Sequence, residues 1–359
     1  MLTIESESSL DKGVTLIVTP HDDYRYPYLY RFLNYYKSWN YPFSIVILNS
    51  CPSEIDENLF GQFLKDEKIV HYKFDHSIRF ELKLIEGLSK ITTDYCAICS
   101  EDDFITVRGI AESFFFLEKN ADYSAAMGKG IAFKVDKSHS EIKWELLYES
   151  VKSIEHEDAV ERLSYYFANY RIPVYFALYR TPILRTIWQK TIVHTRDYRF
   201  GELLPALLTV IDGKIRISDV MYIAREYSIE SQGQTLDRFD DFILDGSFKD
   251  RFKSFRQCLV EALSTGSDVG HKACNQIVHR GMKSYLGFSW QAYRLKNKII
   301  RFLKFLRFYD CLHKISKKSI KTSLTDMPVV NNKNPYSDFD SPDHTEWKRI
   351  AHILEVYSK

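Results

Sequence analysis

Through its first 135 residues the chain alternates short apolar runs with amphipathic helical segments, joined by brief polar loops. That alternation predicts an α/β fold, a mostly parallel sheet covered by helices, because parallel strands need a crossover between them. Val14–Thr19 (VTLIVT), stopped by Pro20, reads as a strand buried on both faces. Phe43–Leu48, Ile69–Phe74 and Tyr95–Cys99 read as the next three strands. Leu29, Phe32, Leu33 and Tyr36 recur at helical spacing, and that helix stops before Asn40-Tyr41-Pro42. Leu82, Ile85 and Leu88 mark a second helix; Ile110, Phe114 and Leu117 mark a third, followed by strands at Tyr123–Met127 and Ile131–Val135.

Beyond about Trp144 the pattern turns helical. Arg180–Lys190 and Gly201–Ile211 read as helices, Lys214–Ile217 as a short strand, and 239–290 as largely helical. Residues 322–343, rich in Asn, Pro, Ser and Asp, read as a linker or surface loop, and an amphipathic helix follows from about Thr345 to Tyr357. This divides the chain into an α/β domain, 1–232, and a helical C-terminal region, 233–359.

Ordinary apolar content, 45%, and a net charge of +1 exclude disorder for most of the 359 residues. Glycine is scarce, 14 residues, and neither GxGxxG nor GxxxxGK occurs; the GKG at Gly128–Gly130 fits neither phosphate-cradling pattern. The first thirteen residues lack the basic start and apolar run of a signal peptide, and no stretch is long and apolar enough to cross a membrane. Cys96 and Cys99 have CxxC spacing but sit in an apolar strand with no second pair at zinc-site spacing. Reduced, buried thiols in a cytoplasmic protein are the expectation.

The chemistry-bearing feature is Glu101-Asp102-Asp103, directly after the fourth strand, at the end where open α/β sheets bind ligands. On an extended segment, residues i and i+2 share a side, so Glu101 and Asp103 can approach one Mg²⁺ or Mn²⁺ while Asp102 points away, toward a ribose or a backbone amide. The competing interpretation makes Asp103 an acidic cap on the helix through Ile110–Leu117. His21-Asp22-Asp23, beside Tyr24-Arg25-Tyr26-Pro27, reads as a loop capping the first helix rather than a metal cluster. Lone His194 is weak as an acceptor contact, and Arg225-Glu226 stays open between an internal ion pair and a diphosphate contact.

VTLIVTP…YRYPYLYRFLNYY, then SIVILNSCP, a helix containing Lys83, and TTDYCAICSEDDFI together resemble nucleotide-sugar-dependent glycosyltransferases of the GT-A fold. Within these, the chain is similar to bacterial and archaeal family 2-like domains in which an aspartate triplet followed by phenylalanine ends the fourth strand. The similarity is good over 13–135 and weaker over 197–218 and Arg225-Glu226. The resemblance implies a Rossmann-like GT-A domain with a helical C-terminal extension. It implies that Glu101 and Asp103 fill the role of the DxD motif, holding a divalent cation on the donor diphosphate, with Glu in place of the first Asp. It also implies that Thr19, Pro20 and Arg25 embrace the nucleoside. Asn49, where the family commonly has Asp, would then face the base or ribose, with a UDP-sugar favoured. Lys83 would lie near the nucleotide, its alternative being a solvated helix lysine.

Inverting transfer needs a carboxylate to take the acceptor hydroxyl's proton. Glu202, at a helix start, resembles that residue in inverting GT-A enzymes, and Asp197 is the reserve; for Glu202 the alternative is an ordinary first-turn acid. Arg294–Lys321 carries ten Lys/Arg against one acid, Asp310, with an apolar helical stripe. It suits an anionic membrane surface or a polyanion, or packs on the body with its lysines solvated. The expectation is a cytoplasmic, metal-dependent glycosyltransferase, peripheral at the inner membrane face, acting on a glycan or lipid-linked acceptor in surface polysaccharide or glycolipid synthesis. No nucleic-acid partner is expected. The rivals are a metal-dependent phosphodiesterase or nucleotidyltransferase, and a noncatalytic membrane- or polyanion-binding protein.

Overall fold

A computed structural model describes residues 10, 13–136, 141–147, 151–170, 174–227, 242, 247–287 and 342–357. The expected 232/233 boundary, the basic segment 294–321 and the linker up to 341 lie outside the described residues.

Five consecutive buried residues, Val14–Val18, form β1 at the centre of the parallel half of the sheet. It pairs in parallel with β2 (Ser44–Asn49) on one side and β4 (Tyr95–Cys99) on the other, and β3 (Ile69–Lys73) continues beyond β2. The register sets Val18 beside both Ile47 and Cys99, and Asn49 beside Lys73. All four strands therefore end along one edge, where their following loops gather.

Beyond β4 the sheet becomes mixed, in the order β3-β2-β1-β4-β8-β6-β9-β5. β8 (Leu178–Arg180) runs antiparallel to β4 and β6 (Tyr123–Asp136), while β6 and β9 (Lys214–Glu226) run parallel. β5 (Phe104–Ile105) closes the order antiparallel to β9. Three expectations change here. The two strands expected at 123–127 and 131–135 are one, β6, continuous through Gly128 with register shifts against β9. A Cβ on Gly128 would sit 2.3 Å from the Val220 carbonyl, so glycine admits the close approach rather than a break. β9 extends far past Ile217 to Glu226. Trp144, expected to open a helical region, lies in β7 (Glu141–Leu147), paired antiparallel with β6 so that Trp144 faces Phe133. A cross-strand partner, not local propensity, decides that segment.

The helices are α1 (Tyr26–Ser38), α2 (Glu57–Leu64), α3 (Phe80–Lys90), α4 (Val107–Lys119), α5 (Ala159–Ala168), α6 (Thr181–His194), α7 (Tyr198–Asp212), α8 (Phe248–Thr265), α9 (His271–Leu286) and α10 (Pro342–Tyr357). α1 ends as its sequence predicts, with Asn40 in the left-handed region at φ 49°. α2, not anticipated, is capped by Asp56, which accepts from the Asn58 N–H. In α3 the inward face is Lys83, Leu84, Gly87 and Leu88, whereas Leu82 is 41% exposed. Thr106 caps α4, its hydroxyl accepting from the Gly109 N–H at 3.0 Å, so the acidic-cap interpretation of Asp103 falls away.

α8 packs against α6 and α7, and α9 against α5. Phe200 of α7 stacks on Phe255 of α8 at 4.4 Å, part of an aromatic cluster with Phe248 and Phe252. α10 returns to α1, where buried Glu346 accepts from Tyr35 Oη at 2.8 Å and from the Arg108 N–H at 3.0 Å. Among the described residues no helix is long and apolar enough to cross a membrane. Cys51, Cys96, Cys99, Cys258 and Cys274 are free and buried, as expected of structural thiols.

Candidate functional site

The edge where β1, β2 and β4 end brings a buried turn against a set of arginines. Residues 101–103 form a turn rather than an extended run, so side-chain alternation with period two does not hold there. Asp102 does not point away: its Oδ2 meets Arg25 Nη2 at 2.8 Å, and Glu101 pairs with Arg25 Nε. Asp103 turns the other way. Its Oδ1 accepts from the Glu226 N–H at 2.9 Å and its Oδ2 faces Arg225 Nε at 3.3 Å. Glu226 in turn pairs with Arg31, which also donates to the Asp102 carbonyl at 3.4 Å.

Four carboxylates, Glu101, Asp102, Asp103 and Glu226, thus converge on three guanidinium groups, Arg25, Arg31 and Arg225. Lys83 adds a fourth positive charge acting on Glu101, so the four carboxylates face four cations. Burial pushes Glu101 and Glu226 above the usual carboxylate range, with Arg25 and Arg31 respectively pulling back. Burial likewise raises Asp103 to about 7, Arg225 opposing it and Asp102 adding to it. Carboxylate oxygens suit a hard divalent cation, but Glu101 and Asp103 turn to different arginines, so the structure does not bring the two expected metal ligands together.

Arg25 is 8% exposed and committed to the acidic turn, so it does not reach a nucleoside as the resemblance implies. Asn49 is fully buried: its Oδ1 accepts from the Cys51 N–H at 2.8 Å, and its Nδ2 lies 3.1 Å from Tyr26 Oη and 3.2 Å from His71 Nε2. It shapes the loop after β2 instead of facing a base. Lys83 is no solvated lysine. At 1% exposure its Nζ donates to the carbonyls of Pro20 at 3.0 Å and Thr19 at 3.2 Å, and to Ser50 Oγ at 2.7 Å. Burial lowers it to about 8, with Glu101 pulling it back up. Lys83 therefore ties the ends of β1 and β2 together from beneath, and Thr19 and Pro20 serve it through their main chain.

On the other side of the turn, Asp197 caps α7, its Oδ1 accepting from the Phe200 N–H at 2.9 Å. That role takes one carboxylate oxygen, while the buried Oδ2 has no hydrogen-bond partner among the described residues. Glu202 lies one turn into α7, partly buried, and Arg225 acts electrostatically on both it and Asp103. Burial raises the Glu202 carboxyl above its ordinary range, with Arg225 and Arg199 offsetting part of the rise. The structure thus brings Glu202 to the arginine that faces the acidic turn. His194 instead lies against α8, its Nδ1 3.4 Å from Ser254 Oγ. Arg225-Glu226 forms no pair with itself; each residue meets a different partner.

Arg31 is not among the residues the motifs single out. Its signal was present, a charged residue set between Leu29 and Phe32 on the apolar face of α1. His76, beside His21 at the same edge, was missed too, and no local pattern marks it.

The sheet order, the helices around it and the acidic turn after β4 define a Rossmann-like α/β protein of the GT-A type with a helical C-terminal extension. Among solved structures the chain is similar to Staphylococcus aureus TarS residues 1–349 in complex with UDP-GlcNAc. The TM-score is 0.53 and the identity 12%, over 77% of this chain and 73% of that one. The same TarS fragment without ligand gives a TM-score of 0.50 at 12% identity, over 77% and 72%. No protein-family model matches the chain, and no curated protein matches it in sequence.

Proposed function

We propose that this chain is a metal-dependent glycosyltransferase that passes a sugar from a nucleoside diphosphate, UDP favoured, to a glycan or lipid-linked acceptor, with inversion, in cell-surface glycan synthesis. The observation that carries this reading is the buried acidic turn Glu101–Asp103 at the end of β4, in a fold similar to that of a protein crystallised with UDP-GlcNAc. Glu101 and Asp103, once their side chains leave Arg25 and Arg225, would hold Mn²⁺ or Mg²⁺, which when bound supplies positive charge to the leaving diphosphate.

The chain's own residues supply the rest. Asp102 keeps Arg25 anchored beside the turn. Lys83 and Asn49 hold the loops after β1 and β2, so that the main chain at Thr19 and Pro20 keeps its shape at the nucleotide end. Arg225, one-third exposed, pairs with Asp103, acts electrostatically on Glu202 and offers a guanidinium to phosphate oxygens. Glu202 takes the proton of the acceptor hydroxyl as that oxygen bonds to the anomeric carbon and the C–O bond to the diphosphate breaks.

The test is thermal protection and product analysis. UDP with Mn²⁺ raises the melting temperature, UDP alone raises it less, and Asp103→Asn loses the metal-dependent increment. Across a nucleotide-sugar panel the released nucleotide is the diphosphate. Release of a nucleoside monophosphate would assign a phosphodiesterase or nucleotidyltransferase instead, and no binding or turnover across the panel with metal present sinks the proposal.

A further inference from the structure

We propose that His21, Asp22 and His76 form a second metal site, one that takes a borderline transition ion of the Zn²⁺ class and is separate from the acidic turn. His21 and Asp22 follow β1, and His76 lies in the loop between β3 and α3. The ligand atoms these three offer all lie within 4.8 Å of one another. The two imidazoles stack with centroids 4.6 Å apart, and His76 Nε2 is 4.0 Å from Asp22 Oδ1.

The far side of each ring separates this cluster from chance proximity. His76 Nδ1 faces two main-chain carbonyls, Ser50 at 3.0 Å and His21 at 3.2 Å. Carbonyls only accept, so Nδ1 carries the proton and Nε2 presents its lone pair. His21 Nδ1 lies 3.0 Å from Ser50 Oγ, which also accepts from Lys83 Nζ at 2.7 Å and has the Pro20 carbonyl as acceptor at 3.4 Å. The His21–Ser50 contact holds the His21 ring in place whichever of the two atoms donates. A ring fixed through one nitrogen by oxygen acceptors, with the other free, as in His76, is the arrangement that orients metal-ligating histidines.

Ligands of a tetrahedral ion with bonds of about 2.0 Å are separated by about 3.3 Å. The His76 and Asp22 side chains are 45% and 39% exposed, so rotation about their own bonds covers the difference. Donor type sets the ion: two imidazole nitrogens and one carboxylate suit Zn²⁺, Co²⁺ or Ni²⁺, whereas the all-oxygen turn suits Mg²⁺ or Mn²⁺. Three protein ligands leave a fourth position for water or an anionic group. The ion ties the loop after β1 to the loop after β3, along the edge where the candidate site lies. This site does not depend on the donor chemistry proposed above.

The experiment uses the full chain, stripped with chelator and titrated with Co²⁺ in visible absorption and with Zn²⁺ in calorimetry. Expected is one equivalent of Co²⁺ with nitrogen-ligated d–d bands, displaced by Zn²⁺ and kept in Asp103→Asn. His76→Ala loses the bands, and Asp22→Asn, at a partly exposed loop position, lowers Zn²⁺ affinity about tenfold or more. A wild-type chain without such bands overturns the site, and so does full affinity kept in both His76→Ala and Asp22→Asn.

Discussion

Each ionisable side chain at the edge is defined by what burial leaves it to pair with. Glu202 titrates above an unfolded glutamate because burial outweighs the help of Arg225 and Arg199. If Glu202 is the proposed base it must be ionised, so the acid limb of kcat/KM falls above the ordinary carboxylate range, and Glu202→Gln removes that limb while cutting kcat about 10²–10⁴-fold. The same shift has a stability sign. A carboxyl whose folded pKa is raised stabilises the fold below its unfolded value of about 4.3, and loses that contribution as pH rises through the folded value. Glu202→Gln therefore melts higher than wild type at pH 8, and the gap closes toward pH 4; scanning calorimetry across that range checks it. Lys83 carries a structural load of another kind. Lys83→Met strips the donor from three acceptors, Thr19 O, Pro20 O and Ser50 Oγ, and costs about 1–3 kcal/mol in urea unfolding. In the sequence the acidic triplet, Lys83, Thr19, Pro20, Arg25 and Arg225 all stood out, but which of them meet did not. Arg25 and Asp102 are 77 positions apart and meet only through the pairing of β1 with β4.

Elements were legible where periodicity was local. β1, β2 and β4 are unbroken apolar runs, and their burial on both faces follows from residue type alone. The β6–β9 pair was not legible, because its length depends on a partner about ninety residues away and on one tight crossing. Gly128→Ala drives a Cβ into the Val220 carbonyl, which as main chain cannot step aside, and should destabilise the fold by about 1–3 kcal/mol by chemical denaturation. β7 illustrates the same dependence, as EIKWELL becomes a strand only through its ladder with β6. α10, expected as an amphipathic helix, docks on α1 and the start of α4 through Glu346. Replacing Glu346 by Ala leaves Tyr35 Oη and the Arg108 N–H without their acceptor, a loss of about 2–3 kcal/mol, read as a lower melting temperature.

For the whole molecule, the net charge of +1 hides an uneven distribution. Residues 294–321 carry +9, which leaves −8 on everything else. If that basic segment engages anionic lipid, at about 1 kcal/mol per cation near the headgroups, its deletion weakens binding to phosphatidylserine vesicles and leaves UDP protection in thermal shift unchanged. Loss of both together assigns the segment to the fold instead. The alternation of strands and helices, the scarcity of glycine and the acidic triplet at a strand end determined by themselves that this is an α/β chain with a carboxylate site. Those features are local, since each depends on residue type and spacing within a dozen positions. Tertiary structure alone decided which carboxylate meets which arginine, that Lys83 and Asn49 face inward, and that His76 joins His21. Strand register brings together segments separated by tens of residues, and no local pattern encodes the partner on the neighbouring strand.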